Sequence, residues 1–171
     1  MIIRLIVTFF VCLAFNVYAQ NTSSIDFTIR NLAINVNGHF DTFSITTTFN
    51  ALGQLEKLEG EINVKSIETG IDSRDEHLLK EDYFYISKYP LIKLKSTSIS
   101  KVSSSKYRVK ANLTIKGQTK QITIPVTCEN RANQIKLSSN FEINRRDFNV
   151  GGGSFVMSKI VKLKVVHIEK K

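Results

Sequence analysis

Cysteine, proline and histidine are scarce in this 171-residue chain, with two, two and three copies respectively. Cys12 lies in an apolar leader, so the body of the chain keeps Cys128 alone and has no intramolecular disulfide framework. His39, His77 and His167 stand far apart, none with a second histidine at metal-binding spacing, which leaves no visible zinc cage. There is no G-x-S-x-G elbow, and the nearest hydroxyl to His77 in sequence is Ser73. No catalytic residues are assigned, and His77 beside Arg74 and Asp75 reads as a hydrogen-bonded histidine on a capped helix. No apolar run reaches the ~20 residues a membrane-spanning helix needs. Neither an internal repeat nor a second domain is evident.

The longest apolar block, Leu5 to Phe15, follows Arg4 and ends in Val17-Tyr18-Ala19, an A-x-A-like cleavage sequence. Residues 1–19 are therefore expected to be a secretory signal peptide, and the protein to be periplasmic or secreted. Val11 stands where a small residue would precede a lipid-modified cysteine, which speaks against Cys12 as an anchor. Removal leaves 171 − 19 = 152 residues, and since Arg4 is the leader's only charge the net balance moves from +9 to +8. That is one domain, 20–171. Its charge favours anionic surfaces such as lipid head groups or nucleic acid.

Most of the body alternates apolar and polar residues. Tyr107, Val109, Ala111, Leu113 and Ile115 fall on one face, with Arg108, Lys110, Asn112, Thr114 and Lys116 on the other. Ile122, Ile124, Val126 and Cys128 follow the same rule, as do Ile135, Leu137, Ser139, Phe141 and Ile143, and later Val161, Leu163 and Val165. Pro125 lies on an outward row and favours an edge, a strand end or a bulge. The phase slips near Asn31, where a bulge or bend is expected, and Asn37-Gly38 reads as the turn of a hairpin returning through Phe43, Ile45, Thr47 and Phe49. About eight short strands with one apolar and one charged face fit a sandwich or a barrel. The outward faces carry Lys, Thr, Asn and Ser without stacking aromatics, which argues against a nucleic-acid surface.

One stretch departs from this pattern. From Ile71 to Pro90, Ser73 and Glu76 have capping-box spacing, Asp75 and Glu76 suit a helix's first turn, and Pro90 stops any helix. A short helix is expected there, covering part of the strands. Arg74-Asp75-x-His77-Leu78, then Tyr83-Phe84, then Tyr89-Pro90 resembles the signature of the YceI-like family of periplasmic, polyisoprenoid-binding proteins. The resemblance continues in Leu113-Thr114-Ile115-Lys116-Gly117-x-Thr119-Lys120 and in Phe141-x-Ile143-x-Arg145-Arg146-Asp147-Phe148. Asn149 stands where that family more often has glycine, and asparagine tolerates positive φ better than most residues.

The resemblance implies an all-β, lipocalin-like antiparallel β-barrel that holds a long apolar lipid, such as a prenyl quinone or prenyl phosphate. On that basis Phe27, Phe43, Val109, Ala111, Leu113 and Phe141 are the expected tunnel wall, with Ala111 as the small residue facing open space. His77 and Arg145 are the expected head-group contacts. Arg145 has a competing structural role, since Arg74-Asp75 and Arg145-x-Asp147 are equipped to pair with each other. No cofactor or metal is implied beyond the lipid itself; an anionic membrane is a possible transient partner, and nothing fixes an oligomeric state. Two other functions compete: an exported enzyme acting on an apolar substrate, and a solid-cored structural or stress-related interaction module. The leader gives a direct check, because intact mass of the exported protein should correspond to a chain beginning at Gln20. A product that begins at Met1 and pellets with membranes would make the leader an anchor.

Overall fold

The computed structural model describes residues 22–171, so the leader and its expected cleavage site lie outside it. Ten strands form one antiparallel sheet: β1 (Ser24–Asn31), β2 (Ile34–Phe40), β3 (Phe43–Phe49), β4 (Leu55–Asn63), β5 (Ile67–Glu68), β6 (Leu91–Lys101), β7 (Lys106–Ile115), β8 (Gln118–Asn130), β9 (Gln134–Asn144) and β10 (Met157–Lys170). The only α-helix among the described residues, α1, spans Asp72–Leu78, and 3₁₀ turns occupy Val64–Ser66 and Arg145–Phe148. The sheet order is β3-β4-β6-β7-β8-β9-β10-β1-β2-β5.

This sheet curls into a half-barrel, with edge strand β3 brought round toward the β10 side. At one corner Asp41 N–H donates to Ser66 O at 3.1 Å and Asn63 N–H to Thr42 O at 2.9 Å, tying the β2–β3 link to the end of β4. Farther along, the Thr47 hydroxyl donates to the Glu169 carboxylate, which joins edge strand β3 to β10. The inward rows converge on a barrel-like interior, as the alternation requires. Ile25, Phe40, Val64, Ile92, Leu113 and Phe148 form one buried cluster; Leu55, Tyr107, Val109, Ala111, Ile124 and Leu137 belong to another.

The expected eight strands become ten because the first is split by a hairpin into β1 and β2, and the 3₁₀ turn at Val64–Ser66 cuts β5 from the end of β4. The break near Asn31 is a chain reversal: β1 pairs with β2 through Asn31 and Ile34, and the two-residue turn is Leu32-Ala33. A register irregularity against β10 between Ile29 and Asn31 accompanies it. Asn37 and Gly38 lie inside β2, opposite Thr28 and Phe27, and β3 pairs with β4 rather than with β2. Gly38 answers a packing need. A Cβ there would come within 2.4 Å of Phe27 Cζ and 2.7 Å of the Glu68 carbonyl.

The capping box does not form either. Ile71 is the N-cap and makes no side-chain capping bond, while the Asp75 carboxylate is drawn away to the backbone and hydroxyl of Thr69. Pro125 behaves as its chemistry requires. β8 pairs with β7 from Gln118 to Thr127 but with β9 only from Thr127 to Asn130, so Pro125 sits on an edge that no strand occupies. Ser139 Oγ donates to the Pro125 carbonyl at 2.6 Å just where the two strands part.

Gly38→Ala should cost about 1–3 kcal/mol through overpacking against Phe27 and the β5 backbone. A lowered urea midpoint with an unchanged slope is the expected result.

Candidate functional site

A cavity of about 280 Å³ lies inside the curled sheet, lined by inward residues of nearly every strand. That is near the lower end of the ~300–1,000 Å³ typical of ligand pockets. Aliphatic and aromatic side chains make most of the wall. Ile29, Val36, Val161 and Leu163 line it and stand apart from both buried clusters, so these side chains face the space itself. One end of the cavity is covered by α1, Tyr83 and Phe84 together with the segment from Arg145 to Met157.

Arg145 organises that end. It is 3% exposed, and no ion pair joins it to a carboxylate among the described residues. Its donors instead go to main-chain carbonyls: Nε to Ser158 at 2.9 Å, Nη1 to Val150 at 2.6 Å and Gly152 at 3.0 Å, and Nη2 to Met157 at 3.2 Å. Of five guanidinium N–H groups, one on Nη2 is left over. Burial lowers the guanidinium's pKa, and the nearby charge of Arg146 adds to that effect. The carbonyls fold the segment 150–158 around the cation. Gly151, at φ +70°, is needed in this fold because a Cβ would meet Met157 Cε and Tyr83 Cε1 at 2.8 Å and Arg145 Nη1 at 3.1 Å.

The expected pairing between Arg74-Asp75 and Arg145-x-Asp147 is therefore replaced by two local arrangements. Arg74 donates from Nε to Thr69 Oγ1 at 2.7 Å and from Nη2 to Thr69 O at 2.6 Å, while Asp147 accepts from Asn144 Nδ2 at 3.0 Å. His77 Nε2 lies 3.2 Å from Asp82 Oδ2, and its ring stands edge-on to Tyr83 with centroids 5.0 Å apart. Gly151 N–H donates to Asp82 O at 2.9 Å, so the helical cover and the Arg145 loop are fastened together.

Phe27, Leu113, Phe141, His77 and Arg145 line the cavity. Phe43, Val109 and Ala111 do not. Phe43 packs against the first buried cluster, while Val109 and Ala111 are completely buried in the second, so the space expected in front of Ala111 is filled. The sequence reading missed Ile29, Leu163, Tyr83, Asn31 and His167. The alternation of Val161, Leu163 and Val165 could have supplied Leu163 and, one step further, His167. Asn31 Oδ1 is a buried acceptor without a partner at the covered end, and no sequence signal marks it. His167 lies at the other end, with Nδ1 3.4 Å from Ser23 Oγ, and burial lowers its pKa against a smaller opposing effect of Glu169. Among the described residues, no group of three His, Cys, Asp or Glu side chains could hold a metal.

An antiparallel, barrel-like sheet with a helical cover and an apolar interior cavity defines a lipocalin-like shell. The chain belongs to the YceI-like family, whose domain matches residues 17–168. It is similar to the UPF0312 protein YE1254 of Yersinia enterocolitica, at 28% identity over 134 residues, 74% of this chain and 69% of that protein. It is 35% identical over 102 residues to the UPF0312 protein plu2095 of Photorhabdus laumondii, covering 58% of this chain and 53% of that one. Among solved structures, Burkholderia cenocepacia BcnA superposes with a TM-score of 0.81 at 24% identity, covering 86% of this chain and 96% of BcnA. The Campylobacter jejuni YceI protein gives 0.76 at 26% identity, covering 81% and 86%. A polyisoprenoid-binding domain from Saccharophagus degradans, implicated in plant cell wall breakdown, gives 0.70 at 18% identity, covering 87% and 94%.

Arg145→Met keeps the bulk but deprives four carbonyls of their donor, so a loss on the order of 3 kcal/mol is expected in chemical unfolding. Hydrogen exchange should rise most across residues 150–158.

Proposed function

We propose that this protein is a carrier or scavenger that holds the apolar tail of an isoprenoid lipid inside its barrel. The observation that carries this is the composition of the wall: it is mostly aliphatic and aromatic from β1 through β10, with Asn31, Arg145 and His77 at the covered end and only Glu59, Ser138, Ser139 and His167 as polar residues along the strands beyond it. Each buried CH₂ contributes about 0.8 kcal/mol, so several isoprene units outweigh any single polar contact. Affinity then resides in the tail. The unpartnered Asn31 Oδ1 and the remaining Arg145 N–H offer one acceptor and one donor to a polar head such as a hydroxyl, a quinone oxygen or a phosphate. Both groups flank Met157, since Asn31 pairs with it and Arg145 bonds its carbonyl.

Membership of the YceI-like family and the likeness to a polyisoprenoid-binding domain favour a binder over an enzyme. Export through the leader would put such a carrier in the periplasm or outside the cell, where a prenyl lipid needs shielding from water.

Native mass spectrometry of the purified protein, followed by solvent extraction, tests the proposal directly: a co-purifying prenyl lipid is expected. An empty spectrum together with failure to take up added farnesol or a prenyl quinone would leave the interaction-module alternative standing. Two substitutions separate cavity from core. Leu163→Trp should leave the lipid-free protein within about 1 kcal/mol of wild type and block uptake, because the ring enters open space. Ala111→Trp should destabilise by about 1–3 kcal/mol or more, because the site is filled. Unimpaired uptake by Leu163→Trp would remove the lipid from this cavity.

A further inference from the structure

One corner of the covered end breaks two rules of a soluble surface. The β1–β2 turn is Leu32-Ala33, with φ of +48° and +67°, positions where Asn-Gly would be unstrained. Its side chains are also exposed. Leu32 is 66% exposed, Ile34 69% and Val156 53%, and Phe155 is fully exposed. They share one corner, because Leu32 N–H donates to Val156 O at 3.0 Å and Asn31 pairs with both Ile34 and Met157. Local rules tend to be broken where function demands it.

We propose that this corner docks the protein on the surface of an anionic phospholipid bilayer, so that a lipid passes between membrane and cavity without crossing water. The inference rests on a lipid occupying the cavity. Continuity supports it, since Asn31 and Met157, which join the exposed residues, also line the cavity. Charge supports it too. Exposed Arg30, Arg146 and Lys159 neighbour the apolar residues in the chain or bond to their loop, as Arg146 Nη2 does to Ser154 O at 2.9 Å. Of the acidic side chains of this end, Asp72, Asp75 and Glu76 lie on α1 and Glu81 and Asp82 follow it, while Asp147, exposed beside Arg146, accepts from Asn144 Nδ2 at 3.0 Å. The barrel would therefore lean onto the membrane with its hairpin and glycine-loop side. Aromatic and aliphatic insertion beside basic side chains is the usual chemistry of such contacts.

The test is co-sedimentation of purified protein with vesicles of phosphatidylglycerol mixed with phosphatidylcholine, against phosphatidylcholine alone. The wild type should partition onto the anionic vesicles and release at high salt. Phe155→Ser combined with Val156→Ser should lower partitioning by roughly tenfold or more. Leu32→Asn, which suits positive φ and should fold at least as well, should lower it in the same direction. Uptake of farnesol added in solution should be unchanged in all three backgrounds, which separates docking from the cavity. Docking with no farnesol uptake would overturn the cavity and leave the surface. Equal partitioning by wild type and variants, or no partitioning by wild type, would overturn the docking surface. So would a wild-type dimer in sedimentation analysis that the same substitutions dissolve, because a second copy would then be what covers the patch.

Discussion

A buried guanidinium with no carboxylate partner among the described residues is the interaction on which one end of this barrel depends. Arg145 is dissolved, in effect, in four peptide carbonyls, and those carbonyls belong to one continuous segment from Val150 to Ser158. An aspartate in their place would neutralise the charge but would fix a single side chain. Four carbonyls fix a loop. Gly151 must then approach Tyr83, Asp82 receives the Gly151 N–H, and the helical cover is held over the cavity by the same chain of contacts.

The face of each strand was readable from sequence because period-two alternation and burial report the same geometry. In β7 the five inward residues Tyr107, Val109, Ala111, Leu113 and Ile115 are all buried, as their pattern requires. Depth along the barrel was not readable. One inward row passes from filled core at Val109 and Ala111 to cavity wall at Leu113, and alternation carries no coordinate along the strand. Residue size is equally uninformative there, since a small residue marks either open space or a large neighbour. Ala111 proved to have the neighbour.

Turns misled for a related reason. Asn37-Gly38 has the composition of a reversal and lies in mid-strand, because Gly38 makes room for a ring; Leu32-Ala33 lacks that composition and reverses the chain. The helix start failed through competition. Ser73 and Glu76 have the spacing of a cap, but Thr69, held by Arg74 and Asp75, settles the entry to α1 by contacts that cross the strand–helix boundary. The residues of the family resemblance nonetheless converge in space, since His77, Tyr83 and Arg145 all reach the covered end.

The parting of β8 and β9 after Thr127 and Ser138 gives this shell a property that a fully laddered barrel lacks. Ile124 on one side and Phe141 and Ile143 on the other line the cavity across a seam with no strand pairing, closed at its apex by the Ser139 bond to Pro125. Apart from the line between the sheet's unpaired ends, β3 and β5, widening the interior elsewhere means breaking rungs of a ladder. Here the strands can spread about their apex without sacrificing one, so the seam is the compliant wall of the container. A barrel of this build has a volume with some give, and the bulk of its occupant is tolerated along one line instead of being matched all the way round.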